Sequence, residues 1–136
     1  MNRFVQSLCL AALVASTSLV SLAQNDARLH DGDFVAVIGD SITEQKDYSV
    51  NIEDYLLMCK PAPELRSMQF GWGGETAEGF KNRMVNDCFR YHPTVATTCY
   101  GMNDGGYGPM DEKRAAWYHD NQKAIVQGMK IGRAHV

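Results

Sequence analysis

Short apolar runs alternate with longer segments of helical periodicity along this chain. Three runs that are rich in apolar and β-branched residues predict strands. Three segments with apolar residues at helical spacing predict helices between and after them. In chain order we predict strand 33–39, helix 49–60, strand 66–70, helix 76–90, strand 94–100 and helix 111–130. This alternation indicates an α/β fold with parallel strands and right-handed crossovers.

Each predicted strand is followed by a loop that contains glycine and polar residues. The three loops are 39–43, 71–76 and 101–105. In a parallel sheet, loops after the strands meet at one edge, which is where ligands bind in such folds. We therefore expect the functional site at this edge.

The three loops together carry the groups that acyl transfer needs. Ser41 lies two residues after the first predicted strand, where its hydroxyl can face the site. A glycine amide at Gly74 and the side-chain amide of Asn103 are suited to hydrogen-bond a developing oxyanion. Each residue alone is equally typical of turns and helix caps, so the combination carries the argument.

Two common motifs are excluded at these loops. Thr43 occupies the position where the Gly-x-Ser-x-Gly elbow of α/β-hydrolases requires glycine. The chain has no Gly-Lys-Ser/Thr sequence of a phosphate-binding P-loop.

The three loops resemble the ordered sequence blocks of the SGNH/GDSL hydrolases. GDSIT at 39–43 resembles the first block, whose serine is the nucleophile. GWGGET at 71–76 resembles the second block, whose last glycine lends its N–H to the oxyanion hole. GMND at 101–104 resembles the third block, whose asparagine is a side-chain donor.

This resemblance implies a flavodoxin-like three-layer α/β/α fold with a parallel sheet. It implies a serine ester hydrolase that uses Ser41 as nucleophile, with Ser41 N–H, Gly74 N–H and the Asn103 side chain around the oxyanion. It further implies small-molecule, carbohydrate or lipid esters as substrates, with no metal or organic cofactor. Further candidate substrate-binding residues on the same loops are Asp40, Trp72 and Asp104, and Tyr107 is another aromatic residue nearby.

The chain departs from the family pattern at two places. Gln69 stands where the second block often opens with asparagine. The fourth block, Asp-x-x-His, is not found, and His119 lacks an aspartate three positions before it. We expect a C-terminally truncated domain that lacks its general base and is nearly inactive as given, since an unassisted serine is a poor nucleophile.

Both ends of the chain are expected to lie outside the folded domain. Residues 1–23 have a short positive start, an apolar stretch and small residues at its exit, which predict a cleaved signal peptide. We therefore expect a secreted or periplasmic protein without stable membrane insertion. Residues 131–136 match one reading frame of a common sequencing adapter and are interpreted as a non-native scar, which leaves 24–130 as the partial hydrolase domain.

Charge and cysteine content restrict the partners further. The formal net charge is −3 and the basic residues form no stripe, which argues against nucleic acid binding. Pairing among Cys59, Cys88 and Cys99 stays open, as does the oligomeric state. One alternative is a non-catalytic carbohydrate or lipid binder on the same fold. A nucleotide or flavin binder is disfavoured because the loop at 71–76 is not Gly-x-Gly-x-x-Gly.

Overall fold

The computed structural model describes residues 28–109 and 111–131, which alternate between strands and helices. The elements are β1 (Phe34–Gly39), α1 (Ser41–Glu44), α2 (Asp47–Cys59), β2 (Arg66–Gln69), α3 (Ala77–Asp87), a 3₁₀ turn (Phe89–Tyr91), β3 (Val95–Cys99), α4 (Met102–Gly105) and α5 (Glu112–Ile131).

The three strands form a parallel sheet in the order β2-β1-β3. Val35 of β1 is paired with Ser67 of β2 and with Val95 of β3. β1 is central, and all of its residues are buried, as expected of a strand covered on both faces. This strand order is the flavodoxin-like one. Its topological switch point lies between β1 and β3, where the connections after the two strands run to opposite sides. The predicted parallel α/β fold is therefore confirmed.

Helices cover both faces of the sheet and produce three layers. Because successive β1 side chains point to opposite faces, Val37 packs towards α2 with Leu56, whereas Ile38 packs on the other side. There it joins Phe80 of α3 and Ile125 of α5, both of which are fully buried. These two clusters hold the carboxyl ends of the strands in fixed relative positions.

The largest differences from the sequence expectation are two additional helical turns and one helix end. A turn of helix, α1, follows β1 directly, and α4 lies within the predicted loop after β3. The helix predicted over 76–90 ends at Asp87 and continues as a 3₁₀ turn. His92 then adopts a left-handed conformation with φ 54°, and Pro93 follows it, so the helix does not continue.

The predicted signal peptide at 1–23 and residues 132–136 of the proposed scar lie outside the described residues. Within the described part of the chain, no helix combines the length and apolarity that crossing a bilayer requires. The three cysteines described are free; Cys59 and Cys99 are exposed, and Cys88 is buried.

Candidate active site

Ser41 begins α1 at the carboxyl end of the central strand. Asp40, which precedes it, is 2% exposed and caps the turn, with its Oδ1 accepting the Ile42 N–H at 3.0 Å. The Asp40 carbonyl accepts the next two amides, of Thr43 and Glu44, at 3.1 and 3.0 Å. Within residues 28–109 and 111–131, nothing accepts the N–H of Ser41, so this amide is available to a ligand.

The turn that carries Ser41 is anchored to α2 from beneath. Thr43 is fully buried, and its Oγ1 lies 2.6 Å from the hydroxyl of Tyr48. Ser49 Oγ donates a hydrogen bond to the Thr43 carbonyl at 3.1 Å. Burial raises the pKa of the Tyr48 phenol, so this hydroxyl stays protonated. The Ser41 backbone is thereby held against movement away from the sheet edge.

Two glycines allow close packing around the turn that carries Ser41. A Cβ at Gly39 would collide with the Thr43 side chain and lie 2.9 Å from the Cys99 carbonyl oxygen. A Cβ at Gly71 would collide with the Glu44 backbone nitrogen. The Trp72 N–H also donates to the Gly39 carbonyl at 3.1 Å. The second loop is therefore packed directly on the turn that bears Ser41.

Gly74 lies in a tight turn of the second loop. The Glu75 N–H donates to the Trp72 carbonyl at 3.1 Å, and Gly74 has φ +73°, which the third position of a type II turn requires. The described residues offer no acceptor to the Gly74 N–H. At the start of the loop, Gln69 Oε1 accepts the Gly71 N–H at 2.7 Å, so the departure from asparagine is accommodated by a local hydrogen bond.

A buried ion pair fastens the second loop to the rest of the fold. Arg83 donates to both carboxylate oxygens of Glu75, at 2.6 and 2.7 Å, and to the Phe70 carbonyl at 2.7 Å. Tyr100 donates to Glu75 Oε2 at 2.7 Å. The hydrogen bonds to Glu75 raise the Arg83 pKa, and burial raises the Tyr100 pKa. Both donors therefore keep their protons, and the loop is tied to α3 and to β3.

Asn103 connects the first two loops. Its Nδ2 donates to the Glu75 carbonyl at 2.9 Å and lies 3.5 Å from Asp40 Oδ2. Its Oδ1 accepts from the Tyr107 hydroxyl at 2.9 Å. The Asn103 amide thus lies between the residue that precedes Ser41 and the residue that follows Gly74, so the structure brings all three candidate loops together.

Asp104 joins the third loop to the start of α3. Its side chain is buried, with Oδ1 accepting the Ala77 N–H at 2.9 Å and Oδ2 accepting the Gly101 N–H at 3.1 Å. Trp72, in contrast, is 59% exposed, and the Arg83 guanidinium lies 5.3 Å from its ring centre. Asp40 and Asp104 therefore face backbone amides, while Trp72 lies at the rim of the site.

None of the described histidines is hydrogen-bonded to Ser41. His30 contacts Asp33 at 3.8 Å and His92 precedes β3, so both are at the opposite, amino edge of the sheet. His119 is exposed on α5 and its Nδ1 lies 3.4 Å from Asp120. In the part of the chain that the structure describes, no group of three His, Cys, Asp or Glu side chains is arranged to bind a metal ion.

Sequence reasoning missed Arg83 and Tyr100 as residues of the site. Both act on Glu75 from elements that are 8 and 25 residues further along the chain. Neither belongs to a motif, and only the packing of α3 and β3 beside the second loop brings them to it.

No family model matches the chain, and a search of curated proteins finds no match. Solved structures do match. Axe2, an acetylxylan esterase from Geobacillus stearothermophilus, is 21% identical with a TM-score of 0.65, over 76% of this chain and 57% of its own. The esterase EstA from Pseudoalteromonas sp. is 18% identical with a TM-score of 0.62, over 75% and 56%.

A GDSL-like lipase from Bacteroides thetaiotaomicron is 20% identical with a TM-score of 0.58, over 77% of this chain and 47% of its own. The chain thus spans about half the length of the solved proteins that it matches. These matches agree with the strand order and with the three layers described above. The chain therefore has the fold of the SGNH/GDSL lipases and esterases.

Proposed function

We propose that this chain contributes the nucleophile and the oxyanion hole of a serine ester hydrolase. The observation that carries the proposal is the position of Asn103, whose amide is hydrogen-bonded at 2.9 Å to the residue after Gly74 and lies 3.5 Å from the residue before Ser41. One carbonyl group placed at this junction would be within reach of all three loops.

In the proposed reaction, Ser41 Oγ attacks the carbonyl carbon of the ester and forms a tetrahedral intermediate. Its oxyanion is stabilised by Ser41 N–H, Gly74 N–H and Asn103 Nδ2. One hydrogen of Nδ2 is used by Glu75, and the 3.5 Å contact with Asp40 is too long to hold the other firmly. A general base takes the Ser41 hydroxyl proton and passes it to the departing alkoxide, which leaves as the alcohol. Water, deprotonated by the same base, then hydrolyses the acyl-enzyme and restores Ser41.

Asp40 and Asp104 serve this mechanism as positioning residues. The Asp40 carboxylate accepts one backbone N–H and that of Asp104 accepts two, and both residues are almost fully buried, at 2% and 3% exposure. Asp40 orders the turn of Ser41, and Asp104 joins the loop of Asn103 to α3. Trp72, at the rim, is the candidate for contact with substrate.

The general base is proposed to lie outside the described residues, because no described histidine is hydrogen-bonded to Ser41. We also propose that residues 1–23 export the protein. The substrate class is proposed from two proteins of the same fold. One is an acetylxylan esterase, and the other is the esterase EstA, which has been solved in a form inhibited by monoethylphosphonate. Carboxylic esters, among them acetylated sugars, are the expected substrates.

The test is hydrolysis of 4-nitrophenyl acetate by the longer gene product, extended through an Asp-x-x-His block. Ser41→Ala is expected to lower kcat by about 10⁴-fold or more. Asn103→Ala is expected to lower kcat by about 10²- to 10³-fold with little change in KM.

Ser67→Ala on β2 is the matched control and should retain activity. Turnover that does not depend on Ser41 would contradict the assignment. A protein that binds acetylated sugars without hydrolysing them would favour the non-catalytic binder instead.

A further inference from the structure

An open cavity of about 480 Å³ adjoins the candidate site on the side of α5. It is lined by Asn103, Asp104, Gly106, Lys113, Arg114 and Trp117. We propose that this cavity binds the sugar of the substrate and selects a pyranose that bears a carboxylate. The inference rests on the proposed function for the ester bond, whereas the binding of the sugar is independent of it.

The charge of the cavity favours an anion. Lys113 and Arg114 bring two cations, and Asp104 brings the single carboxylate. That carboxylate is 3% exposed, and its two oxygens accept the Ala77 and Gly101 N–H groups, so it already has partners within the fold. Within the described ranges, no carboxylate lies within ion-pair distance of Lys113 or Arg114. Asp111 lies next to the cavity, where its Oδ1 accepts the backbone N–H groups of Lys113 and Arg114 at 2.9 and 3.4 Å and so caps α5. Among the lining side chains the two cations outnumber the one carboxylate, which favours a negatively charged ligand.

The fold fixes the position of Arg114. Its Nη1 donates to the Gly105 carbonyl at 2.8 Å, and its guanidinium lies where a Cβ at Gly106 would be. Gly106 has φ +62°, so this close approach depends on glycine. The remaining N–H groups of a guanidinium held in this way match the two oxygens of a carboxylate.

Trp117 supplies the surface on which a ring can lie. It is half-buried, and its carbonyl accepts a hydrogen bond from Asn121 at 2.9 Å, which fixes this turn of α5. Aromatic faces pack well against the C–H faces of pyranose rings. Because Asn103 lines the same cavity, a sugar on Trp117 would present its ester group at the proposed oxyanion hole. Ring and carboxylate together distinguish an acidic sugar from a simple anion.

The experiment is isothermal titration calorimetry at low salt with two probes, an O-acetylated methyl glucuronoside and the corresponding O-acetylated methyl glucoside. They differ in whether a carboxylate is present. We expect the glucuronoside to bind about tenfold more tightly, as for a hydrogen bond to a charged group. The double variant Lys113→Gln, Arg114→Gln should lose this preference, and Trp117→Leu should weaken both probes. Lys123→Gln, an exposed lysine on the same helix, should retain the preference.

Equal affinity for the two probes, binding of neither, or a preference that survives in the double variant would overturn the inference. Ser41→Ala separates the two proposals, since it is expected to abolish hydrolysis and leave the sugar preference intact. A preference for the acidic sugar without Ser41-dependent turnover would refute the ester hydrolase alone. Turnover without that preference would refute the acidic-sugar site alone.

Discussion

At the scale of single residues, glycines at two loops decide how closely the groups of the candidate site approach one another. Gly71 is the most constrained, because a side chain there would meet the Glu44 backbone rather than the end of a flexible side chain. Backbone cannot move aside without shifting the turn that begins at Ser41. The contact therefore couples the second loop to the turn that carries Ser41.

Gly71→Ala is expected to lower the free energy of unfolding by about 2–3 kcal/mol, as overpacking does in well-packed interiors. Chemical denaturation followed by circular dichroism measures the change. Gly105→Ala is the matched control, since nothing lies within 4 Å of a Cβ at that position, and it should leave stability nearly unchanged. Equal stability of the two variants would show that the loops do not touch as described.

Single residues of the site were predictable where a motif holds them. Ser41, Gly74 and Asn103 follow successive strands, and the sequence places all three at one edge of the sheet. The roles of Arg83 and Tyr100 were not predictable, because their partner Glu75 is reached only through tertiary packing. The burial of Asp40 and Asp104 was equally hidden, since aspartate in a loop is typical of exposed turns.

At the scale of elements, α3 acts as the support of the second loop. Arg83 of this helix reaches two oxygens of Glu75 and the carbonyl of Phe70 at the end of β2. The side chain of Glu75 is 7% exposed, so loss of its partner would leave a buried carboxylate unpaired. The helix thereby fixes the loop on which Gly74 lies.

Arg83→Met is expected to lower the free energy of unfolding by about 3–5 kcal/mol, which is the cost of removing one partner of a buried ion pair. Arg83→Lys keeps the charge and loses the two parallel hydrogen bonds, so its loss should be smaller. Thermal and chemical denaturation compare these variants with Arg90→Lys, an exposed arginine. A stability of Arg83→Met equal to wild type would mean that the ion pair does not hold the loop.

The order of the elements was predictable from hydrophobic spacing, whereas the two short helices were not. α1 and α4 have four residues each, too few to show a helical period. α4 forms because Gly101 adopts φ +134° and its N–H donates to Asp104, a local arrangement that no spacing pattern encodes. The bounds of the longer elements differ from the predicted bounds by one or a few residues, because helix and strand ends also depend on local hydrogen bonds that spacing does not encode.

At the scale of the whole molecule, two apolar clusters on either face of β1 bind the layers together. Cys88 is fully buried in the cluster between the sheet and the helices α3 and α5. Burial raises the pKa of its thiol from 9.0 to about 12. The thiol therefore stays protonated in the folded protein and is unreactive under ordinary conditions.

The raised pKa of Cys88 predicts loss of stability in alkali. The folded state holds the thiol proton more tightly than the unfolded state, so this contribution is fully present below pH 9 and is lost as the pH rises from 9 to about 12. Urea unfolding across this range should show the decline, to which Tyr100 adds at higher pH because burial raises its pKa.

Cys88→Ala should flatten the fall that begins near pH 9, whereas Cys59→Ala, which removes an exposed thiol, should retain it. An identical pH dependence in both variants would show that Cys88 does not titrate in this way. The comparison uses the slope with pH, so the packing that Cys88→Ala loses does not affect the conclusion.

The central claim is that Ser41, Gly74 and Asn103 converge on one acyl group, and a crystal structure of the longer gene product after reaction with an alkylphosphonate tests it most directly. The account predicts phosphorus bonded to Ser41 Oγ. One phosphonyl oxygen should then lie roughly 2.7–3.1 Å from Ser41 N, Gly74 N and Asn103 Nδ2. Attachment to another residue, or a phosphonyl oxygen that none of these donors reaches, would contradict it.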